Sequence, residues 1–398
     1  MKFANAFVPV GGSWSSPFVK WQGSLSDVSS FDLAVAVTRR ALEERKAPLA
    51  EISTLILGWT VPQQAAFYGA PTVAARIGLE AISGPMIAQA CATSAACVQA
   101  AAATVELSPD ELVLALATDR TSNGPLLVYP APSRMAGAPI TENWVLDNFN
   151  RDPWAGEAMI QTAENVAREA QIPRQQLDEV THMRYQQYSR SLADDRAFQR
   201  RYMVPVVIDH PKGPPIVVEA DEGIFPTSLE GLSQLKPVRP DGVVTFGTQT
   251  HPADGTAGML ICGSAERARE LGTAPGVVRI LATGVARVPK AQMPKAPVPA
   301  AHKALADAGL SFAQVDAMTT HNPFAVNDVW LSEQTGYPLD RMNAYGCSLV
   351  YGHPQGPTGL RAMAELIEIL RLRGGGIGLF TGCAAGDTGA AVVFRVED

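Results

Sequence analysis

Cysteine is scarce in this chain, with five residues among 398. That is too few for a disulfide scaffold, and an odd count leaves at least one thiol free. A reducing compartment is expected, where thiols stay available for chemistry. A basic excess is also missing. Lys plus Arg total 32 against 39 for Asp plus Glu, giving a net charge of -7, so no nucleic-acid-binding surface is expected. The apolar runs, such as residues 112–117, have strand length and charged flanks, which predicts no membrane span. The opening MKFANAFVPVGGSW breaks its apolar run with Pro and Gly, unlike a secretory signal. The closing FRVED matches neither a retention nor a peroxisomal address. A cytoplasmic protein is the expectation. Short paired Cys or His intervals of the zinc type are lacking, so no metal is expected. Walker-type and GxGxxG phosphate loops are lacking too.

Apolar residues are plentiful. At 46% hydrophobic and 18% charged, the chain can build a large core, and its 398 residues suggest two or three packed units. Helical periodicity predicts helices over 32–45, 92–107 and 359–372, the second dense in Ala. Short apolar runs at 54–57, 112–117, 242–246, 257–262, 377–381 and 390–394 predict buried strands. The alternation points to a layered α/β fold. The middle reads differently. Residues 123–155 carry repeated Pro and aromatics, 163–201 read as a charged, Gln-rich helical stretch, and 205–240 are rich in Pro and acidic residues. This region predicts an insertion covering a site, or else a surface decoration. There is also an internal echo. Cys91 opens a helix that leads to the strand at 112–117, and Gly352-His353-Pro354 precedes a helix that leads to the strand at 377–381. A duplicated α/β core follows.

The candidate chemistry lies at turns. Cys91 stands before the Ala-rich helix, where free N–H groups and the helix dipole favour a thiolate with a lowered pKa. The same N–H groups suit an oxyanion. Packing as a small hydrophobe is the commoner fate of a free Cys, and that reading fits Cys97, Cys262 and Cys347. Cys383 follows an apolar run among small residues, which let a ligand approach closely. A Cys there serves as a general acid or base, or else simply fits a tight turn. His353 is fixed between Gly and Pro before a helix, placed to activate a thiol or to donate to an oxyanion. His321 follows an apolar run and precedes a turn. His182, His210, His251 and His302 lack such context and are expected at the surface or behind a site.

Together these pieces resemble the thiolase family over essentially the whole chain. Cys91-Ala92-Thr93 resembles its nucleophile motif, with Thr93 for the usual Ser. His321-Asn322-Pro323-Phe324 resembles its Asn/His-x-x-Phe loop. Gly352-His353-Pro354, with Gly356 and Gly359, matches its Gly-His-Pro loop. Cys383-Ala384-Ala385 stands where the family has Cys-x-Gly. Residues 161–167 and Asp254-Gly255 agree as well. Cys347 takes the place of a Gly in the Asn-x-x-Gly-Gly turn. Thr250 stands for the Ser near the pantetheine of CoA, and Ser15-Ser16-Pro17-Phe18 for Arg-Thr-Pro-Phe.

The resemblance implies a thiolase fold, with two duplicated α/β halves in five α-β-α-β-α layers and an inserted loop domain. The expected division is 1–118 with 243–270 for the N-terminal half, 119–242 for the insertion that binds CoA and acyl group, and 271–398 for the C-terminal half. It implies reversible Claisen chemistry on a 3-oxoacyl-CoA through a Cys91 thioester. His353 would take the thiol proton, the N–H groups of Cys91 and Ala385 would hold the oxyanion, His321 and His353 the enolate oxygen, and Cys383 would protonate carbon. Coenzyme A is a co-substrate, no cofactor is covalently bound, and a homodimer or homotetramer is expected. Trp144, Phe149, Trp154 and Tyr129 are expected to line an acyl pocket suited to a bulky or aromatic group. Two alternatives bear naming. A ketoacyl synthase would lack the second Cys. A catalytically silent acyl-CoA-binding subunit would work with a partner protein.

Overall fold

Leu112, Leu114 and Leu116 face one side of their strand, and Val113, Ala115 and Ala117 the other. Successive side chains point to opposite faces of a sheet. A strand apolar on both faces must be covered on both, and the fold supplies that cover. The computed structural model of the protein describes residues 1–131, 135, 137–209 and 213–397. In chain order the core elements are β1 (Phe7–Val8), α1 (Ser30–Glu44), β2 (Ile52–Gly58), α2 (Gly69–Arg76), β3 (Met86–Ile87), α3 (Thr93–Leu107) and β4 (Leu112–Arg120). After the middle region come β5 (Ala253–Cys262), β6 (Val277–Arg287), α4 (Pro297–Ala308), β7 (Ala317–His321), α5 (Ala325–Thr335), α6 (Thr358–Leu372), β8 (Gly376–Ala384) and β9 (Thr388–Glu397).

The expected duplication is visible in the pairing. β2 runs parallel to β4, and β7 parallel to β8. β4 pairs antiparallel with β5, and β8 with β9. β5 then meets β1, and β9 meets β6. The strands run in the order β7-β8-β9-β6-β1-β5-β4-β2-β3. One core cluster joins α3 and α6 to the inner faces of both halves, through residues such as Val98, Ala101, Met363 and Ile367. A second lies under α1 and α2, with Leu33, Val37 and Val73. A third lies under α4 and α5, with Ala300, Ala304 and Leu331. These clusters define five α-β-α-β-α layers, the arrangement that the resemblance implies.

Several sequence expectations need correction. Residues 242–246 form no strand. The Glu164 carboxylate accepts the N–H groups of Val243 and Val244 at 2.9–3.1 Å, so those groups are not free for a ladder. The stretch 163–201 is not one helix. It divides into Met159–Glu169 and Arg174–Ser191, because Pro173 lacks an N–H and Gln171 takes a positive φ of 55°. Residues Ala90–Leu107 do reach the length and mean hydropathy of a membrane span, at 1.2 over 18 residues. They include α3, the central helix of the stack, whose apolarity is met by packing from both halves of the strand array. β6 and β7 had no counterpart among the expected strands.

The middle region leaves the core between β4 and β5. At the same point in the second half, β8 turns directly into β9 through residues 385–387. The inserted region is tied back by a buried ionic knot. Arg361 of α6 donates to both carboxylate oxygens of Asp221 at 2.6 and 2.8 Å and to Glu365 at 3.1 Å. Tyr188 bonds Asp221, and Tyr202 and Tyr351 bond Glu365. The Tyr351 ring lies 3.7 Å from the guanidinium carbon. Every charge in the knot has a hydrogen-bonding partner, as burial demands.

Candidate active site

Four turns meet at one end of the central helices. Cys91 follows β3 and precedes α3, on a turn where Ala90 takes a positive φ of 44°. Thr93 holds that turn, since its hydroxyl donates to the Ala90 carbonyl at 2.7 Å and accepts from the Gln89 N–H at 2.8 Å. The methyl group that Thr93 carries beyond a Ser points at Gly58, where a Cβ would lie 2.6 Å from it. The parallel register pairs His321 with Gly382 and so sets Cys383 one residue further along the neighbouring strand. Gly382 is required there, because a Cβ would sit 2.7 Å from the Cβ of His321. The backbone N–H of His353 donates to the His251 carbonyl at 2.9 Å.

The side chains converge. His353 Nε2 lies 3.1 Å from Cys91 Sγ, and its Nδ1 lies 2.6 Å from the Thr358 hydroxyl. His321 stacks on His353 with ring centroids 4.0 Å apart. Its Nδ1 lies 3.1 Å from the Ser348 hydroxyl, while its Nε2 is buried without a partner. Asn327 Nδ2 donates to Cys383 Sγ at 3.2 Å. Ala385 lines the same cavity as Cys91, and its backbone N–H favours the ionised form of that thiol. Ala385 itself is not among the residues of positive φ; that conformation falls on Gly386. A methyl group is therefore tolerated where the resemblance expects Gly.

The electrostatics depart from expectation at Cys91. Burial pushes the Cys91 thiol up to about 12; the N–H groups of Ala385 and Cys91 pull the other way, and the Asp119 charge adds to the rise. The helix terminus does not outweigh desolvation here. Burial likewise holds His321 down to about 3. His353 falls well below the ordinary imidazole value through burial and then through the charge of His321. Cys383 is raised by burial and by its proximity to Cys91, against the pull of Asn327. The resting cluster is a set of neutral thiols and neutral imidazoles.

A cavity of about 730 Å³ opens over Cys91, His353, Ala385 and Thr250. His321 and Cys383 are buried beside the cluster and do not line it. Thr250 is tied in place, its N–H donating to the Pro323 carbonyl at 2.7 Å and its hydroxyl to the Ser348 carbonyl. Trp144 and Phe149 line the cavity as expected, joined by Met159, Phe246 and Phe324. Trp154 and Tyr129 do not. Trp154 is half exposed beneath Arg287, whose guanidinium lies 4.3 Å from its ring, and Tyr129 is exposed on a hairpin beside Glu142. Cys97, Cys262 and Cys347 are buried in core clusters. Of the other histidines, His302 is exposed, His182 and His251 are partly buried, and His210 lies outside the described residues.

Sequence reasoning missed the residues that hold the reactive ones. Asp119, fully buried, accepts from Thr60 N and Oγ1, from Val61 N and from Gly356 N at 2.7–2.9 Å. Burial raises it to about 7 against those donors. It joins the cavity wall at Thr60 to the turn after His353. Asp328 plays the same part beneath His321. It accepts from Arg184, Thr320 and Asn322 at 2.7–2.8 Å. A polar residue that ends up buried has no local sequence signature.

Residues 9–265 match the family profile described as "Thiolase, N-terminal domain", and residues 275–396 match "Thiolase, C-terminal domain". The chain is 28% identical to a probable acetyl-CoA acyltransferase of Staphylococcus epidermidis, over 90% of this chain and 91% of that one. It is 28% identical to an acetyl-CoA acetyltransferase of Pseudomonas aeruginosa, over 94% and 95%. Among solved structures, the Bacillus anthracis acetyl-CoA acetyltransferase superposes with a TM-score of 0.90 at 26% identity, covering 99% of each chain. Human mitochondrial 3-ketoacyl-CoA thiolase in complex with CoA gives 0.90 at 25%, covering 100% of each.

Proposed function

The chain belongs to the thiolase family and is an acyltransferase; from that premise we propose that it cleaves or forms 3-oxoacyl-CoA reversibly through an acyl-thioester on Cys91. Coenzyme A is the co-substrate, and no bound cofactor is required. The observation that carries this reading is the 3.1 Å contact between Cys91 Sγ and His353 Nε2, on the wall of a cavity that Ala385 also lines.

In the degradative direction His353 Nε2 takes the Cys91 proton as sulfur attacks the 3-keto carbon. Burial raises the thiol, so the neutral thiol–imidazole pair is the form from which His353 draws the proton as the bond to carbon forms. The N–H groups of Cys91 and Ala385 hold the oxyanion. The Cα–Cβ bond breaks, and the electron pair passes to an acetyl-CoA enolate. His321 and His353 hold the enolate oxygen, and Cys383 delivers its proton to carbon. The Cys383 thiolate then takes the proton of an incoming CoA thiol, which attacks the acyl group; Cys91 leaves as a thiolate and recovers its proton from His353. Thr358 and Ser348 fix the two imidazoles through Nδ1, and Asn327 fixes Cys383.

The apolar wall of Trp144, Phe149, Met159, Phe246 and Phe324 supports a bulky or aromatic 3-oxoacyl group. A homodimer or homotetramer in the cytoplasm, with the insertion binding CoA, completes the proposal. The test is mass spectrometry of intact protein after brief exposure to a panel of acyl-CoAs. A single acyl group mapped to Cys91 is expected. Protein that binds acyl-CoA without ever carrying an acyl group would overturn the reading in favour of a silent subunit.

A further inference from the structure

Three soft donors meet where the nucleophile sits. Cys91 Sγ and one ring nitrogen of each of His321 and His353 lie within 4.8 Å of one another. Both imidazoles are pinned through Nδ1 by a hydroxyl, His353 by Thr358 at 2.6 Å and His321 by Ser348 at 3.1 Å. This is the outer hydrogen bonding that orients a metal-bound histidine. Ser348 both donates and accepts, so it serves either tautomer of His321. His321 Nε2 is buried with nothing to bond, a costly state for a polar atom. The three donors include no carboxylate, so Mg²⁺ and Ca²⁺ find no hard ligand set. One thiolate with two imidazoles is a set that zinc-like cations favour. A fourth position faces the cavity that Cys91 and His353 line, as in sites that keep an open coordination place.

We propose that Cys91, His321 and His353 form a reversible site for a thiophilic divalent cation of the zinc type, which occupies the nucleophile and shuts off acylation. The metal–sulfur bond forms as the thiol proton leaves to solvent, and two metal–nitrogen bonds form from the neutral imidazoles. Bond lengths of about 2.0–2.3 Å set the donors about 3.5 Å apart, so the wider pairs close up while the 3.1 Å Cys91–His353 contact opens slightly. Metal and acyl group exclude each other, because both need the same sulfur. The sequence expectation of no metal rested on short intervals, and residues 91, 321 and 353 have none; only the fold joins them. The site stands on geometry alone and does not depend on which acyl group is transferred.

The test is titration of the metal-free protein with Co²⁺, followed by displacement with Zn²⁺. A thiolate-to-cobalt charge-transfer band is expected, complete at one equivalent and lost on adding Zn²⁺. Cys91→Ser removes the band. His321→Ala weakens Co²⁺ binding by about 100-fold or more, since a lost ligand costs at least what a lost outer partner does. Should that variant not fold, Ser348→Ala is expected to weaken binding about 10- to 100-fold. His302→Ala, an exposed control, leaves it unchanged. Zn²⁺ also protects Cys91 of the unmodified protein from iodoacetamide, read by peptide mapping. Absence of the band, its survival in Cys91→Ser, or full alkylation of Cys91 under saturating Zn²⁺ overturns the proposal. Acyl loading of Cys91 in metal-free protein reports on the catalytic reading separately.

Discussion

Asn327, in the first turn of α5, donates a hydrogen bond to Cys383 Sγ at 3.2 Å, and so fixes the second thiol without touching the first. The two sulfurs are therefore separable by experiment. In Cys383→Ser, the acyl group still loads onto Cys91 while complete turnover falls by about 10²- to 10⁴-fold, the usual worth of a positioned proton donor. Asn327→Ala gives an intermediate loss. Intact-mass analysis read against steady-state rates distinguishes the steps. Loss of loading itself in Cys383→Ser would remove its assigned role.

The resting state carries a pH signature. A thiol protonates below its pKa, so one raised to about 12 is neutral throughout the ordinary range. His321, lowered to about 3, is neutral there as well. Alkylation of Cys91 by iodoacetamide is expected to climb about tenfold per pH unit between 7 and 9, following the thiolate fraction. A plateau with its midpoint below about 7.5 would instead reveal a thiolate–imidazolium pair.

Arg361 answers two buried carboxylates, Asp221 and Glu365. Arg361→Met strands them and is expected to cost about 3–5 kcal/mol, as for other buried pairs that lose one partner. Denaturant melts measure this. Asp221→Asn added to Arg361→Met recovers part of the loss, because one of the two stranded carboxylates no longer carries a charge.

Trp144 lines the cavity while its indole N–H donates to the Thr60 carbonyl at 2.8 Å. If aryl acyl groups lie against it, Trp144→Ala lowers kcat/KM for an aryl-3-oxopropionyl-CoA by about 10-fold, the worth of roughly 1–1.5 kcal/mol of aromatic contact. Acetoacetyl-CoA is expected to change by less than about threefold on the same grounds. Equal losses on both substrates, or faster turnover of acetoacetyl-CoA by the unmodified protein, would sink the aromatic preference.

The clustered thiols and imidazoles were legible in the sequence, and their supports were hidden. Cys91, His353 and Cys383 each stand beside Gly, Pro or small residues, and such turns leave a local mark. β6 left none that stood out, because Arg279, Gly284 and Arg287 interrupt its apolar run. β7 is only Ala317–His321, and its threonines are buried by bonding inward, Thr319 to the Ala362 carbonyl and Thr320 to Asp328. Asp119 is decided by residues from 58 to 237 positions away. The raised thiol has the same origin. A helix start can be read from a dozen letters, whereas desolvation depends on everything folded around it.

The break between β4 and β5 has a bearing on how this scaffold changes over time. The corresponding junction in the other half is a three-residue bend that sets Ala385 on the cavity wall beside Cys91, so its length is not free to drift. Its twin carries no such duty and has grown into the roof over the cleft. New preferences among acyl groups can thus arise by reshaping one arm of a symmetric pair, while the other keeps the bond-making machinery unchanged.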